Sequence, residues 1–214
     1  SLWACLSSFP FALTIAIVLS RYRFFGRPIL NGIVYLPLVL PPVVIGYMLL
    51  IIFGKTGFAG VFLYKYLGIS FAFKWTGAAL AGAIMGFPLM VRSICLSIEA
   101  VNPRIEQAAM SLGANKFYTF LFITFPLITP GIIVGLTLSF ARALGEFGAT
   151  ITFVSNIPGE TQTLSTAIYN FLQVPNGELM AMRLTLIAIF ISIFALVISE
   201  IIFEKILKYR REKN

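Results

Sequence analysis

Apolar residues run along this chain for about 20 positions at a time, the length a helix needs to cross hydrocarbon. Five such segments stand out, at about 2–20, 30–53, 75–97, 126–147 and 183–203. At about 1.5 Å of rise per residue, each can traverse roughly 30 Å as an α-helix. A membrane barrel would instead show segments of about ten residues alternating in polarity. The pattern predicts an all-α integral membrane protein with about five transmembrane helices in a single domain over 1–214.

Two shorter helices are predicted between the spans. Asn102 is a good N-cap, Pro103 suits a first helical position, and Gly113 fits just past a C-terminus. Between them Ile105, Ala108, Ala109 and Leu112 recur at helical spacing and form one small apolar face. This helix, at about 103–117, is too short to span. A second, at about 162–173, carries Leu164, Ala167, Ile168, Phe171 and Leu172 at helical spacing. Whether it tucks between spans or lies on the surface stays open.

Proline and glycine modify the spans. The second contains Leu36-Pro37-Leu38-Val39-Leu40-Pro41-Pro42. Each proline removes an N–H, so the helix is either kinked or broken where it faces protein or a water-filled path. Gly82–Gly86 and Gly131–Gly135 are G-x-x-x-G pairs, which suit close packing within the chain or between subunits.

Composition agrees with the pattern. The chain is 59% hydrophobic and 11% charged, against roughly 25% charged in soluble domains. Its mean hydropathy is +0.95. The chain opens Ser1-Leu2-Trp3, so the first span is expected to be cut short at its start; it is read as a span and not a signal peptide. Cys5 and Cys95 lie in apolar runs and are expected to be buried thiols.

The net charge of +8 is a topology signal, not a nucleic-acid patch. Arg21, Arg23, Arg27, Arg92, Arg104, Lys116, Lys205, Lys208, Arg210, Arg211 and Lys213 fall on one set of alternate connections. The other set holds Lys55, Lys65 and Lys74, with Arg183 at its edge. The positive-inside rule puts the first set, and the C-terminus, in the cytoplasm. Trp75 then marks an outer interface, and Tyr22 and Tyr209 inner ones.

On that inner side the 103–117 segment resembles a known motif. Permease subunits of binding-protein-dependent ABC importers carry a loop of the form E-A-A-x-x-x-G-x9-I-x-L-P. Here Gln107-Ala108-Ala109, Gly113, Ile123 and Pro126 stand at that spacing. Gln107 replaces the usual Glu and Phe125 the usual Leu, while Glu106 stands one residue earlier. The resemblance implies a type I ABC importer permease fold. It makes Glu106, Gln107, Ala108, Ala109, Leu112 and Gly113 the contact with a cytoplasmic ATPase.

Leu36–Tyr47, Phe140–Phe153 and Val154–Thr161 resemble the molybdate branch of the family, with tungstate or sulfate as the alternative substrate. The implied setting is the bacterial inner membrane. The implied partners are a second copy of the chain, two ATP-binding subunits, an extracytoplasmic oxyanion-binding protein and membrane lipid. The implied mechanism is alternating access.

Arg142 and Glu146 lie four apart near the outer end of the fourth span and are expected on one helix face. Charges at that depth should face protein or water. They either stabilise packing or, with Thr150 and Thr152, form an outer gate of the path. An attractive cage is not expected, because Glu146 repels the dianion that Arg142 attracts.

Catalytic chemistry is missing from the sequence. There is no His and no Asp, which excludes a Ser-His-Asp triad and most metal sites. Gly54-Lys55-Thr56 has the closing letters of a P-loop, but Leu49 stands where its first Gly belongs. The chain is therefore read as a transport subunit without enzyme activity or cofactor, driven by a partner. A secondary transporter working alone, or a membrane scaffold, would have less use for the Ala-faced helix or the proline-broken span.

Overall fold

The computed structural model describes residues 1–211. Lys213 and the side chains of Tyr209, Arg210 and Arg211 lie outside the described residues. All regular structure among the described residues is helical. In chain order the helices are α1 Leu2–Arg21, α2 Arg27–Val39, α3 Pro42–Phe53, α4 Phe58–Leu67, α5 Trp75–Ala100 and α6 Pro103–Ser111. Then follow α7 Lys116–Thr119, a π-helical turn Phe120–Thr124, α8 Phe125–Leu144, α9 Gly148–Val154, α10 Leu164–Leu172 and α11 Glu178–Arg211.

Four stretches are long and apolar enough to cross a membrane: α1, α5, Lys116–Leu144 and Glu178–Ile206 within α11. The apolar run 30–53 differs from the single helix its length suggests. It is two helices, α2 and α3, turned by 116°. Pro41 and Pro42 cause the break. A residue before proline is pushed out of the helical region, and Leu40 and Pro41 are both extended, with ψ of 144° and 135°.

α5 and α8 form the centre of the bundle, and both G-x-x-x-G pairs lie on their seam. A Cβ on Gly82 would sit 3.1 Å from the Ala143 Cβ, and one on Gly86 2.9 Å from the Ser139 carbonyl oxygen. From the other side, a Cβ on Gly131 would sit 2.5 Å from the Ser97 Cβ, and one on Gly135 3.2 Å from the Met90 carbonyl oxygen. Small residues let the backbones meet. The Ser93 hydroxyl uses that closeness, donating to the Gly131 carbonyl at 2.8 Å.

α1 lies on this pair. Ala12, Ala16 and Leu19 are buried with Met90, Val91, Ile94 and Ile98 of α5 and Ile128 and Ile132 of α8. Trp3 meets Trp75 at one end, with ring centroids 6.5 Å apart. At the other end α1 reaches α6. A second core joins α3, the Trp75 half of α5, and α9 through Ile45, Leu49, Ala81, Met85, Ala149 and Phe153. α11 leaves large apolar side chains such as Phe190, Phe194 and Ile201 exposed. The Thr137 hydroxyl ties it to α8 by donating to Ser199 at 2.6 Å. Cys5 and Cys95 are buried free thiols.

The seam predicts a contrast between two glycines. Gly86→Ala should lower the thermal midpoint in detergent, because the Ser139 backbone cannot yield and overpacking costs about 1–3 kcal/mol. Gly32→Ala has nothing within 4 Å and should leave the midpoint unchanged or raise it. Equal midpoints would show that the two helices are not packed this closely.

Candidate functional sites at the two ends of the bundle

The first site is α6, which the local sequence defines tightly. The Arg104 N–H donates to the Asn102 side chain at 3.0 Å, opening the helix. Gly113, at a φ of +94°, closes it, where a β-carbon would be strained. The Gly113 and Ala114 N–H groups donate back to Met110 and Ala109 at 3.0 and 3.1 Å. α6 is thus shorter than 103–117, because Asn115 caps a new helix by accepting from the Tyr118 N–H at 2.8 Å.

No residue of α6 is buried. Gln107 and Ala108 are exposed, Ala109 is half-buried, and Leu112 is 89% exposed. Among the described residues the small apolar face is therefore left largely open, with only Ala109 partly covered. Phe117, Tyr118 and Phe122 extend the exposed surface beyond Gly113.

Glu106 anchors α6 from behind. Arg21 Nη1 donates to its Oε2 at 2.6 Å, and Nη2 donates to Oε1. The Thr124 hydroxyl also donates to Oε1. Side-chain exposure is 31% for Arg21 and 14% for Glu106. A paired guanidinium and carboxylate with a bidentate fit is stronger than an ordinary surface pair. Thr124 belongs to the π-helical turn, an irregularity common at functional sites. So Glu106, not the exposed Gln107, ties α6 to the end of α1 and the start of α8. Sequence reasoning read Arg21 only as a topology charge. Nothing in the local pattern announces a partner 85 positions away.

The second site is at the far end of α8. Arg142 and Glu146 do meet, with Arg142 Nη1 donating to Glu146 Oε2 at 2.6 Å. They do not share a helix, as their spacing suggests. α8 ends at Leu144 with Gly145 as its C-cap, and Glu146 lies in the link to α9. The Ala149 N–H donates to Glu146 Oε1 at 2.9 Å, so the carboxylate satisfies the start of α9. The Glu146 side chain is 1% exposed and that of Arg142 29%.

Thr150 is buried and lines a cavity of about 310 Å³ with Trp3, Trp75, Glu160 and Gln162. The Thr152 hydroxyl donates to the Gly148 carbonyl at 2.8 Å within its own helix. A Cβ on Gly46 would come within 2.5 Å of the Ala149 carbonyl oxygen, so the broken α3 is pressed directly on α9. The helix expected at about 162–173 is α10, opened by a Thr163–Thr166 capping box that sequence reading did not pick out. The Ser165 hydroxyl on it donates to the Leu144 carbonyl at 3.1 Å, closing the end of α8.

Residues 8–208 match the family described as binding-protein-dependent transport system inner membrane component. Molybdenum transport system permease protein ModB of Escherichia coli K12 is 55% identical, over 92% of this chain and 86% of that protein. ModB of Haemophilus influenzae is 52% identical, over 90% and 84%. Sulfate transport system permease protein CysT of Salmonella typhimurium is 39% identical, over 76% and 58%.

In fold, the chain is similar to a bacterial alginate ABC transporter solved with its alginate-bound periplasmic protein. The TM-score is 0.67 at 20% identity, covering 92% of this chain and 73% of that one. It is also similar to the inward-facing MetNI methionine ABC transporter, with a TM-score of 0.65 at 11% identity, covering 96% and 94%.

Burial of the Glu146 carboxylate makes Arg142 a structural partner whatever else it does. Arg142→Ala leaves a buried charge unpaired and should destabilise by about 3–5 kcal/mol. Adding Glu146→Gln should recover most of that loss, because a neutral amide oxygen still accepts from Ala149. Thermal unfolding in detergent measures both variants, and an Arg142→Ala midpoint equal to wild type would refute the pairing.

Proposed function

This chain belongs to the family of binding-protein-dependent transport system inner membrane components, and on that premise we propose that it forms the translocation path of an ATP-driven importer for molybdate. The higher identity to the molybdenum permeases than to the sulfate permease carries the choice of substrate. Import in this family depends on separate ATPase subunits and an extracytoplasmic binding protein. Two copies of the chain enclose the path, surrounded by lipid. A related oxyanion, tungstate or sulfate, is the second reading, favoured only by the sulfate relative.

α6 receives the motor. Its open face of Ile105, Ala108, Ala109 and Leu112, bounded by Gly113, enters a groove of the ATPase. Gln107 lies on the exposed surface and Glu106 faces inward. The connections bearing α6 and the C-terminus are cytoplasmic. The grouping of Arg21, Lys116 and Glu106 at one end of α1 and of Trp3 and Trp75 at the other supports this orientation.

ATP binding draws the two ATPases together and moves both α6 helices. Glu106 passes that displacement to α1 through Arg21 and to α8 through Thr124. α8 is held against α5 along the glycine seam, so the two move as one body. The far end of α8 carries Arg142, Glu146 and the start of α9, which opens or closes the outer mouth. Thr150 and Thr152 keep α9 seated behind that gate. Paired with Glu146, Arg142 presents little net charge to a passing dianion. Weak retention favours transit over binding.

Cysteine crosslinking tests the docking surface, since Cys5 and Cys95 are buried. Ala108→Cys and Leu112→Cys should each capture the ATPase in assembled complexes. Vesicles carrying the complex should take up molybdate only with ATP and binding protein present. Failure of both positions to crosslink, or uptake without any ATPase, would refute this function.

A further inference from the structure

A polar cavity of about 280 Å³ opens between the start of α2 and the last third of α5. It lies at the end of the bundle that bears α6, but it is separate from the Glu106 site. Arg27, Asn31 and Tyr35 follow at four-residue steps on one face of α2. Arg92 and Glu99 approach from α5, on either side of Cys95. The Tyr35 hydroxyl lies beside Arg92.

Arg92 is eight residues before Ala100, the end of α5, and so about 12 Å inside the helix end. A guanidinium at that depth needs a counter-charge. Among the described residues, the ion pairs are Arg21–Glu106 and Arg142–Glu146. Neither Arg27 nor Arg92 has a carboxylate within ion-pair distance. Glu99 is the one acid lining the cavity, which leaves a net positive charge of one. The start of α2 has no side-chain cap and adds the positive end of its dipole. Apolar surface lies alongside: Leu96, one turn beyond Arg92, and Ile29 on α2 are both exposed.

We propose that this cavity between α2 and α5 binds the phosphate headgroup of an anionic phospholipid from the inner leaflet, with Arg27 and Arg92 as its main contacts. Basic pockets between helices on the cytoplasmic side suit such headgroups. A phosphodiester carries one negative charge and neutralises the cavity. A dianionic free oxyanion would overshoot by one. Asn31 and Tyr35 supply neutral hydrogen bonds to the remaining phosphate oxygens. Leu96 and Ile29 offer the acyl chains a wall. The inner-leaflet assignment rests on the orientation argued under Proposed function.

Native mass spectrometry of the assembled complex, loaded from mixed phosphatidylglycerol and phosphatidylethanolamine, tests the site. Wild type should retain phosphatidylglycerol in preference. Arg92→Gln should lose about fivefold of that retention, the scale of one basic side chain at an anionic surface. Arg27→Gln combined with it should lose more. Arg23→Gln, exposed and outside the cavity, should lose none. Asn31→Trp fills the cavity without removing charge and should also lower retention.

Equal retention in all variants would overturn the proposal. So would displacement of the retained lipid by inorganic phosphate or molybdate, which would make the cavity a free-oxyanion site. Asn31→Cys in sealed vesicles should react with a membrane-impermeant thiol reagent from the inner side. Reaction from the outer side alone would overturn the leaflet assignment and the orientation, independently of lipid retention.

Discussion

The close approach of α5 and α8 is the constraint on which the other contacts depend. Hydrocarbon provides no hydrophobic drive for helices to associate, so they must gain by packing and hydrogen bonds. Four glycines, two on each helix, remove the side chains that would hold the backbones apart. Ser93 then bonds a carbonyl across the gap. α1 fits against the pair because Ala12 and Ala16 leave room. α9 can fold back on α5 because α8 delivers the chain there. α3 can rest on α9 because Gly46 leaves space for the Ala149 carbonyl.

A rigid central pair matters because α6 has almost no hold of its own. It is three turns at most, with no buried residue. Its fixed point is Glu106, gripped by Arg21 and Thr124. An isolated surface ion pair would give at most about 1 kcal/mol. Here one carboxylate receives three donors from two separate helical segments. It therefore links α1 to α8 as much as it holds α6. A force on α6 is shared between α8, which the seam binds to α5, and α1, which packs on that pair.

The sequence made legible whatever depends on local pattern. Apolar runs gave the spans, and Asn102 and Pro103 gave the start of α6, but the helix stops at Ser111, short of the expected 117. It was less informative where geometry is decided at a distance. The prolines announced a disturbance in the run 30–53, but the 116° turn also requires α9 as a platform for α3. The four-residue spacing of Arg142 and Glu146 implied a shared helix, yet Gly145 ends α8 between them. Their pairing survived because a carboxylate just beyond a helix end still lies beside the last turn. Arg21, Thr124 and the π-helical turn left no local signal, since their partner stands on another segment.

The two bundle ends treat charge in opposite ways, which suits the anion path proposed for this chain. At the α9 end Arg142 is matched by Glu146, and the carboxylate is fixed further by the Ala149 N–H. A fixed partner keeps the guanidinium from acting as a trap. An unmatched arginine there would hold a dianion in proportion to its desolvation, and release would slow accordingly. At the α6 end Arg27 and Arg92 have no carboxylate at ion-pair distance among the described residues. They flank the membrane face where anionic lipid can supply the counter-charge. With Arg142 neutralised from within and the proposed lipid neutralising Arg27 and Arg92, neither end would keep a strong anion site. In the importer proposed above, an oxyanion handed over by a binding protein would then meet no deep well along the path.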